Sequence, residues 1–251
     1  MTTARVDVPG FHEQGYAVLR GAVPEAHLAR LDQLVQDWER ARAAPLELES
    51  DIGYPGAPDP GARTQSVRRF LQVFQRDALF RDLLEESGLV DDLGGLLGSP
   101  PILSLAHHNC LMTKEPRLSS DTPWHRDRRF WSFTHDELIT AWIALGDEPL
   151  ARGGLRLVPG SHRLDLPPDC FDEREALRDE ATEVRPLLES AVAPTLARGD
   201  VLLFHCRLLH CASRNFEAIA KRSLVFTFRR EDDLPRKGTR SAEGGEVRFG
   251  G

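Results

Sequence analysis

A basic excess, a long apolar run and paired cysteines are all missing from this chain, and each absence narrows what it can do. The formal net charge is -7 and the pI is near 5.7, which speaks against a general binder of nucleic acid or anionic membranes. No apolar stretch approaches the roughly 20 residues that a membrane-spanning helix needs. The opening MTTARVDVPGF has no basic start followed by an apolar run, so no secretory signal is expected. Cys110, Cys170, Cys206 and Cys211 show neither C-x-x-C spacing nor a disulfide framework, and read as reduced thiols of a soluble cytoplasmic protein.

What is present has the balance of a globular enzyme, with 41% hydrophobic and 28% charged residues. No repeat and no shift of composition divides the 251 residues, so one domain over 1–251 is expected. Its parts are an N-terminal strand and helices (about 10–100), a β core (about 101–230) and a polar tail (231–251). GYAVLRGAV alternates like a strand. From Pro24 to about Ala43, Leu28, Leu31, Leu34, Val35 and Trp38 recur at helical steps, and proline suits the first turn. The stretch from Pro45 to Arg63 reads as a loop. Asp77 is a candidate N-cap for a helical region whose inner face is Leu79, Phe80, Leu83 and Leu84.

Beyond Pro100-Pro101 come short β-like runs between turn residues: ILSLAHH, NCLMT, LITAWIAL, LRLVPG, VAPTL, VLLFHC and RSLVFTF. These predict an antiparallel sandwich or barrel. The charged stretch from Asp165 to Pro186 reads as a helix or surface loop between strands, and the Gly-rich tail as mobile at its end.

The chemical signal is His125-Arg126-Asp127. On a strand, residues two apart share a face, so an imidazole and a carboxylate can grip one ion from adjacent corners. Alone, H-x-D is as readily a salt-bridged surface pair. A third ligand has to come from another strand, and GDVLLFHCRLLHCASRN offers His205 and His210. They are five positions apart, so on a regular strand they face opposite sides and only one can serve. Two histidines and one carboxylate on one face of an octahedron form the facial triad of non-haem iron(II) oxygenases.

Four blocks in order, GYAVLRGAVPEAHLARL, MTKEP with TPWHRD, TAWIALGDEPLARGGLRLVPGSHR and GDVLLFHCRLLHCASRN, resemble the phytanoyl-CoA dioxygenase family of 2-oxoglutarate-dependent oxygenases. The resemblance implies a double-stranded β-helix core (jelly-roll, cupin-like) with flanking helices. It also implies Fe(II) as metal, 2-oxoglutarate and O2 as co-substrates, and hydroxylation with release of succinate and CO2. It assigns His125, Asp127 and His210 as ligands and leaves His205 structural. Halogenating members carry a small residue at the position of Asp127, so hydroxylation is favoured.

The family's co-substrate arginine stands eleven residues past the distal histidine, where this chain has Lys221, with Arg222 one further. We expect Arg222 to be the anchor, through one extra residue in NFEAIA, with Lys221 the alternative. Ala212 replaces a common serine, and Ser213 is adjacent. Trp142 and Cys110 fall at positions the family uses in the co-substrate pocket, although core packing is the plain reading of each. Among Arg126, Arg128 and Arg129, one or two would steer an anionic substrate unless they simply form a solvated face. Of His107 and His108, at most one can face the interior. Two rivals remain: a cupin-like metal protein doing non-oxidative chemistry with zinc or manganese, and a binding module of the same fold without turnover.

Overall fold

The computed structural model describes residues 5–55 and 66–250. Its first elements are α1 (Val8–Gln14), β1 (Tyr16–Leu19) and α2 (Glu25–Ala41). Asp7 opens α1 by accepting from the Gly10 amide, satisfying one of the free donors of a helix start. Pro24 sits at the N-cap of α2, where its missing N–H costs nothing. The stretch read as a loop contains β2 (Leu46–Leu48) and the short α3 (Glu49–Ile52), and its remainder from 56 lies outside the described residues. Next come β3 (Val67–Leu71), which the pattern did not announce, α4 (Leu79–Glu86) and α5 (Leu89–Leu97). The break between these helices is Gly88, in the left-handed conformation at φ 76°.

Nine further strands follow: β4 (Ile102–Ser104), β5 (Asn109–Lys114), β6 (Thr122–His125), β7 (Leu138–Ala144), β8 (Leu155–Leu157), β9 (Val201–His205), β10 (His210–Ala212), β11 (Lys221–Arg229) and β12 (Glu246–Arg248). The larger sheet runs β1-β9-β7-β11-β5-β3-β2, with β4 beside β11 and β12 beside β4. The smaller sheet is β6-β10-β8, and every pairing is antiparallel. This is the expected jelly-roll architecture with flanking helices.

The pleat of β11 sorts its side chains between two compartments. Leu224, Phe226 and Phe228 join the core under the helices, with Leu28, Leu31, Val35 and Trp38 of α2 and Phe80, Leu83 and Leu84 of α4. Val225 turns the other way, into a second core between the sheets with Trp142, Leu202 and Phe204. Each fully buried Leu or Phe contributes about 1.5–3 kcal/mol, so the helix side carries most of the apolar stabilisation. The side between the sheets keeps its room for a cavity.

The polar tail is not loose. β12 pairs with β4, and Phe249 is buried against Phe74 and Phe228. The Arg229 guanidinium donates to both carboxylate oxygens of Glu246 at 2.6 and 2.7 Å. Asp233 is buried and accepts from the backbone amides of His135 and Glu137, both at 2.7 Å. Few apolar residues anchor the segment, which is why composition read it as mobile.

Candidate active site

His125 ends β6 and His210 opens β10, and the two stand directly opposite each other in the register of the smaller sheet. Their ring centroids are 4.2 Å apart. Asp127 is not on the strand, as the same-face argument assumed. It begins a 3-10 turn (Asp127–Phe130), and that turn, rather than the pleat, swings its carboxylate back toward His125. Asp127 Oδ1 lies 3.6 Å from His125 Nε2 and 3.5 Å from His210 Nε2. All three residues are buried, and one donor atom from each falls within 4.8 Å of the others.

The surroundings fix which atoms face that common point. His125 Nδ1 donates to the Pro123 carbonyl at 2.8 Å, and His210 Nδ1 to the Leu208 carbonyl at 2.9 Å. Each ring's proton is thereby held on Nδ1 and the Nε2 lone pair is left inward. Thr140 Oγ1 donates to Asp127 Oδ2 at 3.1 Å, while Oδ1 is buried with no hydrogen-bond partner. A buried carboxylate oxygen with nothing to accept from is costly unless a cation meets it. The donor set therefore fits a divalent metal, with one carboxylate oxygen and two imidazole nitrogens as its ligands.

Charge states agree with that role. Burial, with His210 beside it, takes the His125 imidazole down to about 3, so the ring is neutral at physiological pH. Burial alone would raise the Asp127 carboxyl. The neighbouring imidazoles of His108, His210 and His125 more than reverse this and hold it well below the usual carboxylate range.

The centre opens on a cavity of about 700 Å3. Trp142 lines it and donates from Nε1 to Glu148 Oε2 at 3.0 Å. Lys221 lines it too, 3% exposed, with Nζ 3.2 Å from Glu148 Oε2 and 4.6 Å from the centre of the Trp142 ring. Arg222 does not reach the cavity. Its pleat position is that of Leu224, so it leaves on the helix side and donates to Glu39 of α2 at 2.6 and 2.9 Å. Contrary to the expectation for Arg222, it is Lys221 of the two that faces the cavity. Cys110 sits in the packing between the sheets, 1% exposed, and contributes no cavity wall. Ala212 lines the cavity, whereas Ser213 donates to the Leu150 carbonyl at 3.2 Å and does not replace a serine there.

The remaining candidates separate cleanly. His205 ends β9, which lies in the larger sheet, whereas His210 belongs to the smaller one. The single regular strand assumed for the two does not exist; the chain turns between them. His205 keeps company with Glu137, 3.4 Å away, and with His162, outside the cavity. Arg126 is buried and donates to the Ser161 and Leu164 carbonyls, and Arg128 lies 3.7 Å from Asp136. Only Arg129 of the three lines the cavity.

Sequence reading missed several residues of the site. His108 lies 3.4 Å from Asp127 Oδ2, while His107 turns away to Ser241 at 2.7 Å. Thr140, Glu148 and Lys114 stood inside the family blocks without being singled out, although Thr140 is two positions from Trp142 on β7 and so shares its face. The charged stretch read as a helix or surface loop covers the site: Leu177 N donates to the Trp124 carbonyl at 2.7 Å, and Asp172, Arg174 and Ala176 line the cavity.

Comparison with known proteins identifies the family and the fold. The family model described as phytanoyl-CoA dioxygenase (PhyH) matches residues 11–223. A probable phytanoyl-CoA dioxygenase of Caenorhabditis elegans is 27% identical over 220 residues, which covers 82% of this chain and 68% of that one. The fold is shared with EctD from S. alaskensis with bound Fe, at TM-score 0.75 and 21% identity over 94% of this chain and 81% of that one. It is also shared with the epimerase SnoN in complex with Fe3+, alpha ketoglutarate and nogalamycin RO, at TM-score 0.74 and 22% identity over 92% and 86%. The chain therefore belongs to the phytanoyl-CoA dioxygenase family of Fe(II)- and 2-oxoglutarate-dependent oxygenases.

Proposed function

We propose that this chain hydroxylates an unactivated carbon of a small molecule, with Lys221 holding the far carboxylate of 2-oxoglutarate. The observation that carries the reading is the partnerless Oδ1 of Asp127 facing two inward Nε2 atoms at the floor of a large cavity. Iron held there supplies the redox chemistry by which R–H, O2 and 2-oxoglutarate become R–OH, succinate and CO2. The protein's part is positional. Thr140 holds the outer carboxylate oxygen of Asp127, and the Pro123 and Leu208 carbonyls hold the two rings, so the ligands wait in place. Met112, Phe130, Leu155 and Phe204 make the walls apolar and keep water from the reacting carbon.

The test is direct. Anaerobic protein given Fe(II), 2-oxoglutarate and then O2 is expected to form succinate, and more of it when an accepted substrate is present. Tightly bound zinc with no succinate across a broad substrate panel would instead favour the non-oxidative metal protein or the silent binding module.

The substrate is read here as anionic, on the strength of Arg129. Its guanidinium lines the cavity, donating to the Tyr54 hydroxyl and the Arg174 carbonyl, both at 3.0 Å. Among the described residues it makes no ion pair. A guanidinium so oriented by neutral partners keeps its charge for a ligand. Acyl carboxylates are expected to stimulate succinate formation more than their primary amides do. Arg129→Met is expected to erase that preference by raising KM for the carboxylates about 10-fold or more. Equal response to acids and amides in the unaltered enzyme would remove the anionic reading and leave the oxygenase intact.

A further inference from the structure

The antiparallel register of β11 and β5 sets Lys221 directly opposite Lys114. Both side chains are buried, 3% and 7% exposed, and both line the cavity. Two lysines side by side in a buried wall repel each other, and each is costly to bury as a charge without an anion.

Lys221 has its anion. Glu148, 1% exposed, accepts from Lys221 at 3.2 Å and is held in place by Trp142 Nε1 at 3.0 Å and Ser223 Oγ at 2.6 Å. Lys114 has none. Its Nζ donates to the Ser120 carbonyl at 2.7 Å, and among the described residues it makes no ion pair. The charges that bear on it are Lys221 and Arg68, which oppose its protonation, and, with smaller effect, Glu49 and Asp121, which favour it. Of those, Glu49 lies 3.4 Å from Arg68, and Asp121 pairs with Arg214 at 2.8 Å, so both are already engaged.

The stem of Lys114 is also given its path. Gly153, at φ 82°, passes so close that an added Cβ would sit 2.6 Å from Lys114 Cδ and 2.8 Å from the Ser213 carbonyl oxygen. A side chain there would push the lysine aside, so the glycine keeps the ammonium on the cavity wall.

We propose that Lys114 is a second cationic partner for the far carboxylate of 2-oxoglutarate, so that this chain holds its co-substrate between two lysines on neighbouring strands. The inference rests on the oxygenase reading above. It follows from charge: Glu148 already neutralises Lys221, so a carboxylate arriving at Lys221 alone meets a pair with no net charge. It follows equally from shape. An arginine fork gives a carboxylate two parallel donors from one side chain, whereas a lysine is a point charge, and two of them from adjacent strands restore two directed donors.

A consequence separates this role from simple packing. Burial, with Lys221 next, takes the Lys114 ammonium down to about 7. A carboxylate set against it raises that value, so between the two values binding must take up a proton. Affinity for 2-oxoglutarate then weakens as pH rises from about 7.

The experiment is calorimetry of the full chain loaded anaerobically with Fe(II). The probes are 2-oxoglutarate and 2-oxopentanoate, which keeps the keto acid and chain length but lacks the far carboxylate. Lys114→Gln is expected to weaken 2-oxoglutarate about 10- to 100-fold and to leave 2-oxopentanoate unchanged. In the unaltered protein at pH 8, buffers of different ionisation enthalpy are expected to reveal proton uptake with 2-oxoglutarate that 2-oxopentanoate does not cause. Unchanged 2-oxoglutarate affinity in folded Lys114→Gln overturns the proposal, and so does an absence of proton uptake in the unaltered protein, which needs no variant. Should the unaltered protein bind neither keto acid, it is the oxygenase reading that falls.

Discussion

His210→Ala is expected to leave the protein folded and unable to retain iron. His210 supplies one of two inward Nε2 atoms, and its loss leaves Asp127 Oδ1 with one imidazole neighbour instead of two. Outer partners of metal ligands already cost about 10- to 100-fold in affinity or activity when removed, so loss of a ligand itself is expected to exceed that range. Metal analysis after dialysis against Fe(II) should fall from about one equivalent to background, and succinate formation with it. His205→Ala is the matched control, because that ring lies outside the cavity against Glu137 and His162. Retained iron in His210→Ala together with lost iron in His205→Ala would overturn the ligand assignment.

The second large effect is at the co-substrate end. Lys221→Met removes the one cation that Glu148 pairs with, and a buried carboxylate left without its partner costs about 3–5 kcal/mol of stability. Trp142 and Ser223 still donate to Glu148, which keeps part of its environment intact. In the fraction that remains folded, the apparent Kd for 2-oxoglutarate is expected to rise about 10- to 100-fold, the worth of a hydrogen bond to a charged group. Arg222→Met tests the neighbouring position. That guanidinium is bound to Glu39 across a half-buried surface, so the change should cost about 1 kcal/mol or less in denaturation and leave 2-oxoglutarate binding alone. If Arg222→Met weakens 2-oxoglutarate binding and Lys221→Met does not, the anchor moves by one residue.

The place of Arg222 shows where sequence reading stops. Counting from the distal histidine pointed to position 221, and an assumed loop insertion shifted the choice to Arg222. The alternation of Ser223, Val225 and Thr227 with Leu224, Phe226 and Phe228 contains the face of each residue. Both faces of β11 are buried, however, so no polar and apolar sides distinguish the cavity from the helix layer. The partner that decides the matter, Glu39, lies on α2, and no local pattern links the two.

The helices were readable because Leu28, Leu31, Val35 and Trp38 repeat with the helical period and all four are buried. An antiparallel sandwich or barrel was readable from short runs between turns, and the jelly roll came with the family resemblance. The meeting of His125, Asp127 and His210 was readable because the three stood within family blocks. Its geometry was not, since Asp127 is placed by a 3-10 turn and His210 by a change of sheet after His205. His108, Thr140, Glu148 and Lys114 meet their partners only in the fold, and although three of them stand inside family blocks, nothing in the sequence says which neighbours those are.

The two sheets differ greatly in extent. β6, β10 and β8 have only 4, 3 and 3 residues, and two of those strands carry the histidines. Sheets so short hold little of their own stability, which puts them at the soft end of a protein's opening hierarchy. An ion bridging β6 to β10 therefore acts as a rivet as well as a reagent: binding to the folded form alone draws the free energy of chelation into the cohesion of the small sheet. Iron supply and the lifetime of the folded enzyme are coupled through that one seam.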